Sequence, residues 1–568
     1  MKRGALILFL LAYLGAAAFY TSQKTVRIDP DGASRGVFAV MLKEITFGGG
    51  VLETVRKFNS HYQVGLEPVF QWSPLQVVFL YLISLIVTNY QFAFSLLNLP
   101  IFLLLILYIY RLVMLLFADE RTAVFSSLIL SLHPLVFDTV FSLRRGLGET
   151  LFLVMASCYF VSFLRRWSSK DLLSAFISFL SGVLYRETMA VPLVIFSAFA
   201  IYLYISRRRE DLFSKEDASC GRSRVFLSVI LCAIIAAYVM VQIPLTRKGV
   251  GTLLTKGTNY KRWGEAKANI KGLVTMDDYF SVLAVYPILR FDRDTLDNME
   301  READPFLRKV RLIESRFSLP IGKKAFFILS TIFYQWYLLP FFISGVFLCI
   351  RMCRVRYAVP FLVSVFMGYF VLLSMTGTIP DFSLPMIPFV AICSAASLVY
   401  IFQLLPRIIH NTAVLFISMV LAVHTAHASN SILFGQKIDA CPSRVLGYLL
   451  RDSGGKTPFT VLLDSYVEPI YSLAAAELDH DGVIYLKAAA MDGIDSTSLA
   501  GWLKRGGFSR MTNLLGKAEY PEVKYILAIM PEEMRHYSSL AKEDVLQFRL
   551  KRIISEKDGS ASEYIYKR

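Results

Sequence analysis

Two carboxylates two residues apart, Asp29 and Asp31 in RIDPDGASRGVF, follow closely on an apolar run from Ala5 to Tyr20. A carboxylate held at the edge of a bilayer can act as a general base toward a hydroxyl presented at headgroup depth. Arginines recur at the ends of other apolar runs, Arg144 and Arg145 in SLRRGLGE and Arg186 in YRET, each near an acid, Glu149 or Glu187. Guanidinium groups at that depth suit the phosphate of an anionic lipid, whose charge they stabilise if it departs as a leaving group. His61, beside Tyr62 at the end of the same first polar stretch, is a further supporting candidate. Each residue also has a plain structural reading. DPDG is a good turn, Arg144 and Arg145 are suited to snorkelling, His61 to interfacial packing, and Arg186 with Glu187 to a buried ion pair. Charge between apolar runs is nonetheless a functional signal by default.

The elements that must position these groups are membrane spans. At 568 residues and 55% hydrophobic composition, with a mean hydropathy of +0.51, the chain is a polytopic membrane protein and not an ordinary soluble enzyme. The net charge of +16 resides largely in short clusters between apolar runs, which reads as topology and lipid-headgroup contact instead of nucleic-acid binding. Apolar runs fall near 5 to 20, 74 to 89, 91 to 117, 122 to 137, 149 to 165, 171 to 185, 189 to 205, 225 to 244, 325 to 350, 358 to 376, 381 to 404 and 412 to 428. Several are shorter than the roughly 20 residues of a straight span.

Lys2 and Arg3 hold the N-terminus inside. Whether the first run is a retained anchor or is cleaved at GAAAF, Thr21 onward lies outside. The basic clusters RRWSSKD, RRRED, RMCRVR and PRIIH face the cytoplasm, so the stretches at 138 to 148, 186 to 188, 245 to 324 and 377 to 380, with everything after 428, lie outside. An inside start and an outside end require an odd number of crossings. Since the runs are even in number, one between 74 and 148 fails to cross, and 122 to 137 is the first suspect as a re-entrant segment. The expectation is a mainly α polytopic fold of about 11 to 13 transmembrane helices. Its first outer loop, 21 to 73, should hold short surface helices, and the loop from 245 to 324 is either a flap or a solvated face.

After residue 430 the hydropathy falls. PFTVLLD, GVIYL and VKYILAI read as buried strands between the helical stretches SRVLGYLLRD and PEEMRHYSSLAK, which predicts an extracytoplasmic α/β domain over 431 to 568. Seven scattered cysteines give neither a metal spacing nor a disulfide framework, and Cys349 and Cys353 read as packing residues. No phosphate loop, triad spacing or repeat is visible.

The order of several pieces resembles the GT-C membrane glycosyltransferases, in particular the bacterial protein O-mannosyltransferase-like and aminoarabinose-transferase-like branch. These pieces are PDGASRGVFAVMLKEITFGGG, EPVFQWSPLQVVFLYL, GLGETLFLVMASCYF and GVLYRETMAVPL, within a module spanning residues 1 to 430. The resemblance implies a first-loop aspartate as catalytic base, best matched by Asp31 with Asp29 as its alternative. It also implies Arg144, Arg145 and Arg186 as contacts to the lipid phosphate. The chain departs from the family at PDFSLPMIP, where Asp381 and Phe382 stand in place of an Arg-Tyr pair.

The expected activity is inverting transfer of a sugar from a polyprenyl-phosphate donor to an envelope acceptor on the outer face of the inner membrane. The acceptor, whether lipid, glycan or protein, stays open. No cofactor or metal is expected, since the first loop has few acids and arginines can clamp the phosphate, although a divalent cation stays open. A flippase of lipid-linked saccharide is the rival from another class, and an envelope scaffold the third reading. A transporter would carry ionisable groups near mid-span in related halves, whereas here they cluster at the outer ends.

Overall fold

The computed structural model describes residues 30–47, part of 50–54, 74–140 and 321–404 with short gaps, 145–213, 416–425, 442–488 with gaps, 523–531, 549–555 and 561–567. Among the described residues, those before 430 are mainly helical. In order the helices are α1 (Pro30–Phe47), α2 (Pro74–Ser84), α3 (Asn98–Phe117), α4 (Glu120–Ser131), α5 (Pro134–Val140), α6 (Gly146–Arg166), α7 (Ser169–Tyr185), α8 (Ala190–Phe213), α9 (Ile321–Ile332), α10 (Leu339–Met352), α11 (Ala358–Thr376), α12 (Ile387–Leu404) and α13 (Phe416–Thr425). Short 3-10 turns occupy Glu187–Met189, Trp336–Leu338 and Pro380–Met386. Proline opens α1, α2 and α5, where its missing N–H costs no hydrogen bond and its fixed φ suits the first turn. Between α3 and α4, Ala118 turns left-handed and Asp119 caps the next helix by accepting from the N–H groups of Arg121 and Thr122.

Among the described residues, three helices are long and apolar enough to cross a membrane: α3, α6 and the segment Ser383–Leu404 that contains α12. Helix α6 packs against α3 and α7, and α12 packs against α4 and α10. Gly345 lets α10 and α12 meet backbone to backbone, because a Cβ there would lie 1.9 Å from the carbonyl oxygen of Cys393. Close approach at a small residue replaces the hydrophobic drive that helices lack in lipid. Cys349 packs in the same seam, its sulfur 3.8 Å from that of Cys393.

Two expected runs are each divided. The run at 122 to 137 is α4 and α5, and α4 reaches about 18 Å, short of the roughly 30 Å hydrocarbon core. The run at 325 to 350 is α9 and α10, separated by the turn at Trp336. The two interruptions satisfy one another's exposed backbone. His133 Nε2 donates to the Ile332 carbonyl at 3.2 Å, while the Leu132 carbonyl accepts from Gln335 Nε2 at 2.9 Å and from the Thr425 hydroxyl. Non-helical backbone within a membrane region survives only with such internal partners.

The first loop differs from the expected short surface helices. Helix α1 is one 18-residue element with Ala33, Val37, Phe38 and Val40 buried, packed between α2 on one side and the C-terminal region on the other. That region contains α14 (Pro442–Asp452), β1 (Phe459–Leu463), α15 (Glu468–Leu478), β2 (Ile484–Ala488), β3 (Val523–Pro531), β4 (Arg549–Ser555) and β5 (Ala561–Lys567). The strands form one sheet in the order β2-β1-β3-β5-β4, with β1 parallel to β2 and β3, and β5 antiparallel to β3 and β4. The three strands expected from the sequence are β1, β2 and β3. The expected helix at 531 to 542, the run at 225 to 244 and the loop from 245 to 320 lie outside the described residues.

Candidate active site

The expected site residues come from the ends of several helices. Asp31 is the second residue of α1, and Asp29, His61 and Arg144 lie outside the described residues. Arg145 directly precedes α6 and is buried, and Glu149 sits in the first turn of α6 with no exposed surface. Arg186 ends α7 in an extended conformation and is buried, while Glu187 begins the following 3-10 turn.

The geometry brings Glu149 and Arg186 together. Arg186 Nη1 lies 3.1 Å from Glu149 Oε2, an ion pair with both side chains almost wholly buried. The other carboxylate oxygen, Oε1, accepts from the Thr188 hydroxyl and from the Tyr369 hydroxyl at 2.8 Å, the latter reaching in from α11. Arg186 is held by its own backbone as well, its N–H donating to Gly182 at 2.7 Å and its carbonyl accepting from Met189 at 3.1 Å. A carboxylate at a helix N-terminus also gains from the positive end of the helix dipole. The buried charge on Glu149 is therefore compensated by a cation, two hydroxyls and a dipole.

Gly148 makes this meeting possible. A Cβ at that position would lie 2.3 Å from the ring of Tyr185, so only glycine lets the start of α6 come so close to the end of α7. Tyr185 is fully buried, and three guanidinium groups, those of Arg35, Arg145 and Arg186, lie within electrostatic range of its hydroxyl. All three arginines are buried. Rigid, forked donors of this kind match the oxygens of a phosphate. One turn further along α6 from Glu149 lies a small apolar crevice of about 30 Å³, lined by Leu112, Leu153, Val154, Leu362, Pro385 and Phe389.

Arg35, Tyr185, Thr188 and Tyr369 were not among the expected site residues. Arg35 carried a signal, since it lies four residues after Asp31 and so one turn along the same helix. Tyr185 and Thr188 stand within YRET itself, whereas Tyr369 is one aromatic residue inside a long apolar run. Among the described residues, no group of three His, Cys, Asp or Glu side chains could hold a metal ion.

The described residues define the class as that of helical integral membrane proteins, with helices long and apolar enough to cross a bilayer. More particularly, residues 71–240 match the family described as dolichyl-phosphate-mannose-protein mannosyltransferase. The fold is similar to the crystal structure of ArnT from Cupriavidus metallidurans bound to undecaprenyl phosphate, at 12% identity and a TM-score of 0.50, covering 100% of this chain and 98% of that one. The apo structure of the same ArnT aligns at 12% identity and a TM-score of 0.49, covering 99% of this chain and 98% of that one. No curated protein matches the chain in sequence.

Proposed function

We propose that this protein is an inverting glycosyltransferase that moves a sugar from a polyprenyl-phosphate donor to an envelope acceptor at the outer face of the membrane. The observation that carries the reading is the convergence of Arg35, Arg145 and Arg186 around Tyr185, beside the Glu149–Arg186 pair. Guanidinium groups gathered inside a membrane protein can stabilise an anion, and a lipid phosphate is one that reaches this depth. The mannosyltransferase family is described by its dolichyl-phosphate-mannose donor, and the similar ArnT binds undecaprenyl phosphate, which supports the same donor class here.

In the proposed step the acceptor hydroxyl gives its proton to the Asp31 carboxylate as its oxygen bonds to the anomeric carbon. The bond from that carbon to the phosphate oxygen breaks, and the electron pair leaves on polyprenyl phosphate, whose charge the arginines stabilise. One carboxylate suffices for a single inverting displacement. Asp31 supports the base role by its position on α1, one turn before the buried Arg35. Asp29, Arg144, Glu187 and His61 are assigned to the surroundings of the same site, with Asp29 the alternative base. No cofactor enters the proposed step.

The test is transfer from a radiolabelled polyprenyl-phosphate sugar in membranes holding purified protein. Asp31→Asn should lower turnover by about 10²- to 10⁴-fold, with bound lipid still recovered by mass spectrometry. Wild-type rates in Asp31→Asn, Asp29→Asn and the double variant together would sink the mechanism.

A further inference from the structure

Beside the arginine cluster stand two neutral polar side chains that the transfer chemistry leaves unused. Gln76, in the first turn of α2, has no exposed surface, and neither its amide nitrogen nor its amide oxygen has a hydrogen-bond partner among the described residues. The Tyr185 hydroxyl is likewise buried and without a hydrogen-bond partner among the described residues. Helix α2 packs against both α1 and α7, and Phe79, one turn along from Gln76, brings its ring centroid to 6.3 Å from that of Tyr185. The two groups therefore belong to one wall of the same buried region.

An unsatisfied buried polar atom costs roughly 1–3 kcal/mol, so three of them together mark a place where a partner binds. Their chemistry narrows what that partner is. The amide nitrogen only donates and the amide oxygen only accepts, so a ligand that satisfies Gln76 must do both, whichever way the amide is turned. Phosphate oxygens, which accept, can serve the amide nitrogen and the arginines but leave the amide oxygen unserved. A sugar hydroxyl donates and accepts at once, and the Tyr185 hydroxyl is complementary to it in the same way. We propose that Gln76 and Tyr185 read the hydroxyl groups of the glycosyl moiety, while the neighbouring arginines hold its phosphate.

This inference rests on the glycosyltransferase reading above and refines it. It is tested by measuring binding of undecaprenyl phosphate, and of its mannosyl and glucosyl esters, to the full chain in detergent. The wild type should bind at least one glycosyl ester more tightly than the bare phosphate. Gln76→Leu and Tyr185→Phe should each erase about tenfold of that preference and leave binding of undecaprenyl phosphate unchanged, which also shows that the variants are folded. Arg186→Gln, by contrast, should weaken phosphate and esters in parallel. The proposal is overturned if the wild type shows no preference for an ester, if both variants keep it, or if they lose all ligands together. A wild type that binds none of the three lipids would bring down the glycosyltransferase reading itself.

Discussion

Replacing Arg186 by methionine should be far more damaging than an ordinary surface change, because it leaves the buried Glu149 carboxylate short of a cation 3.1 Å away. At that separation and an effective dielectric constant of about 20, the attraction is roughly 5 kcal/mol. Removing one member of such a pair costs about 3–5 kcal/mol, because the remaining charge stays desolvated. The measurement is a double-mutant cycle of Arg186→Met, Glu149→Leu and the two together, followed by equilibrium unfolding in mixed micelles. The double variant should be less destabilised than the sum of the singles by about 1–3 kcal/mol. Strict additivity would refute the argument, since it would mean that the two charges do not sense each other in the folded protein.

Three further outcomes follow from other contacts. Gly148→Ala forces a methyl group into the ring of Tyr185, so it should destabilise by about 1–3 kcal/mol and separate the ends of α6 and α7, read as lost thermal stability together with lost lipid-phosphate binding. Tyr369→Phe removes one donor to Glu149 and should cost about 1.5–3 kcal/mol in the same unfolding assay, as for a hydrogen bond to a charged group. In the C-terminal domain, burial first and then the hydrogen bond to Asp452 at 2.8 Å raise the pKa of Tyr525 above the ordinary phenol value. The folded domain thus favours the protonated phenol, and the resulting stability is present below pH about 10 and lost as the pH rises beyond it. Tyr525→Phe should flatten that alkaline decline, as followed by circular dichroism.

The membrane core was readable because span-forming composition is a property of long windows, and α3, α6, α7, α8, α11 and α12 fall where the apolar runs do. The breaks were not. His133 and Gln335 are single strongly polar residues inside long apolar windows, too few to lower the window average, and long-range hydrogen bonds hold the helix ends there. Strands β4 and β5 were missed for a related reason. RLKRIIS and ASEYIYK carry several charges among their apolar residues, a weaker signal than the more apolar runs of β1 to β3. At the site, Arg145, Arg186 and Glu149 were visible as charges at the ends of apolar runs. Their mutual arrangement was not, and Arg186 pairs with Glu149 across two helices, a relation set by packing at Gly148. Tyr369 and Gln76 look ordinary in sequence, because a hydroxyl or amide gains meaning only from what surrounds it.

Helix α1 has an unusual relation to the order of synthesis. It lies near the beginning of the chain, yet its Gly36 face rests against Phe94 and against Leu473 of α15, a residue made late and on the far side of the whole membrane module. The packing of α1 is therefore complete only once the chain has been made through α15 and that helix has folded against it. The segment bearing Asp31, although made early, thus acquires its final setting late.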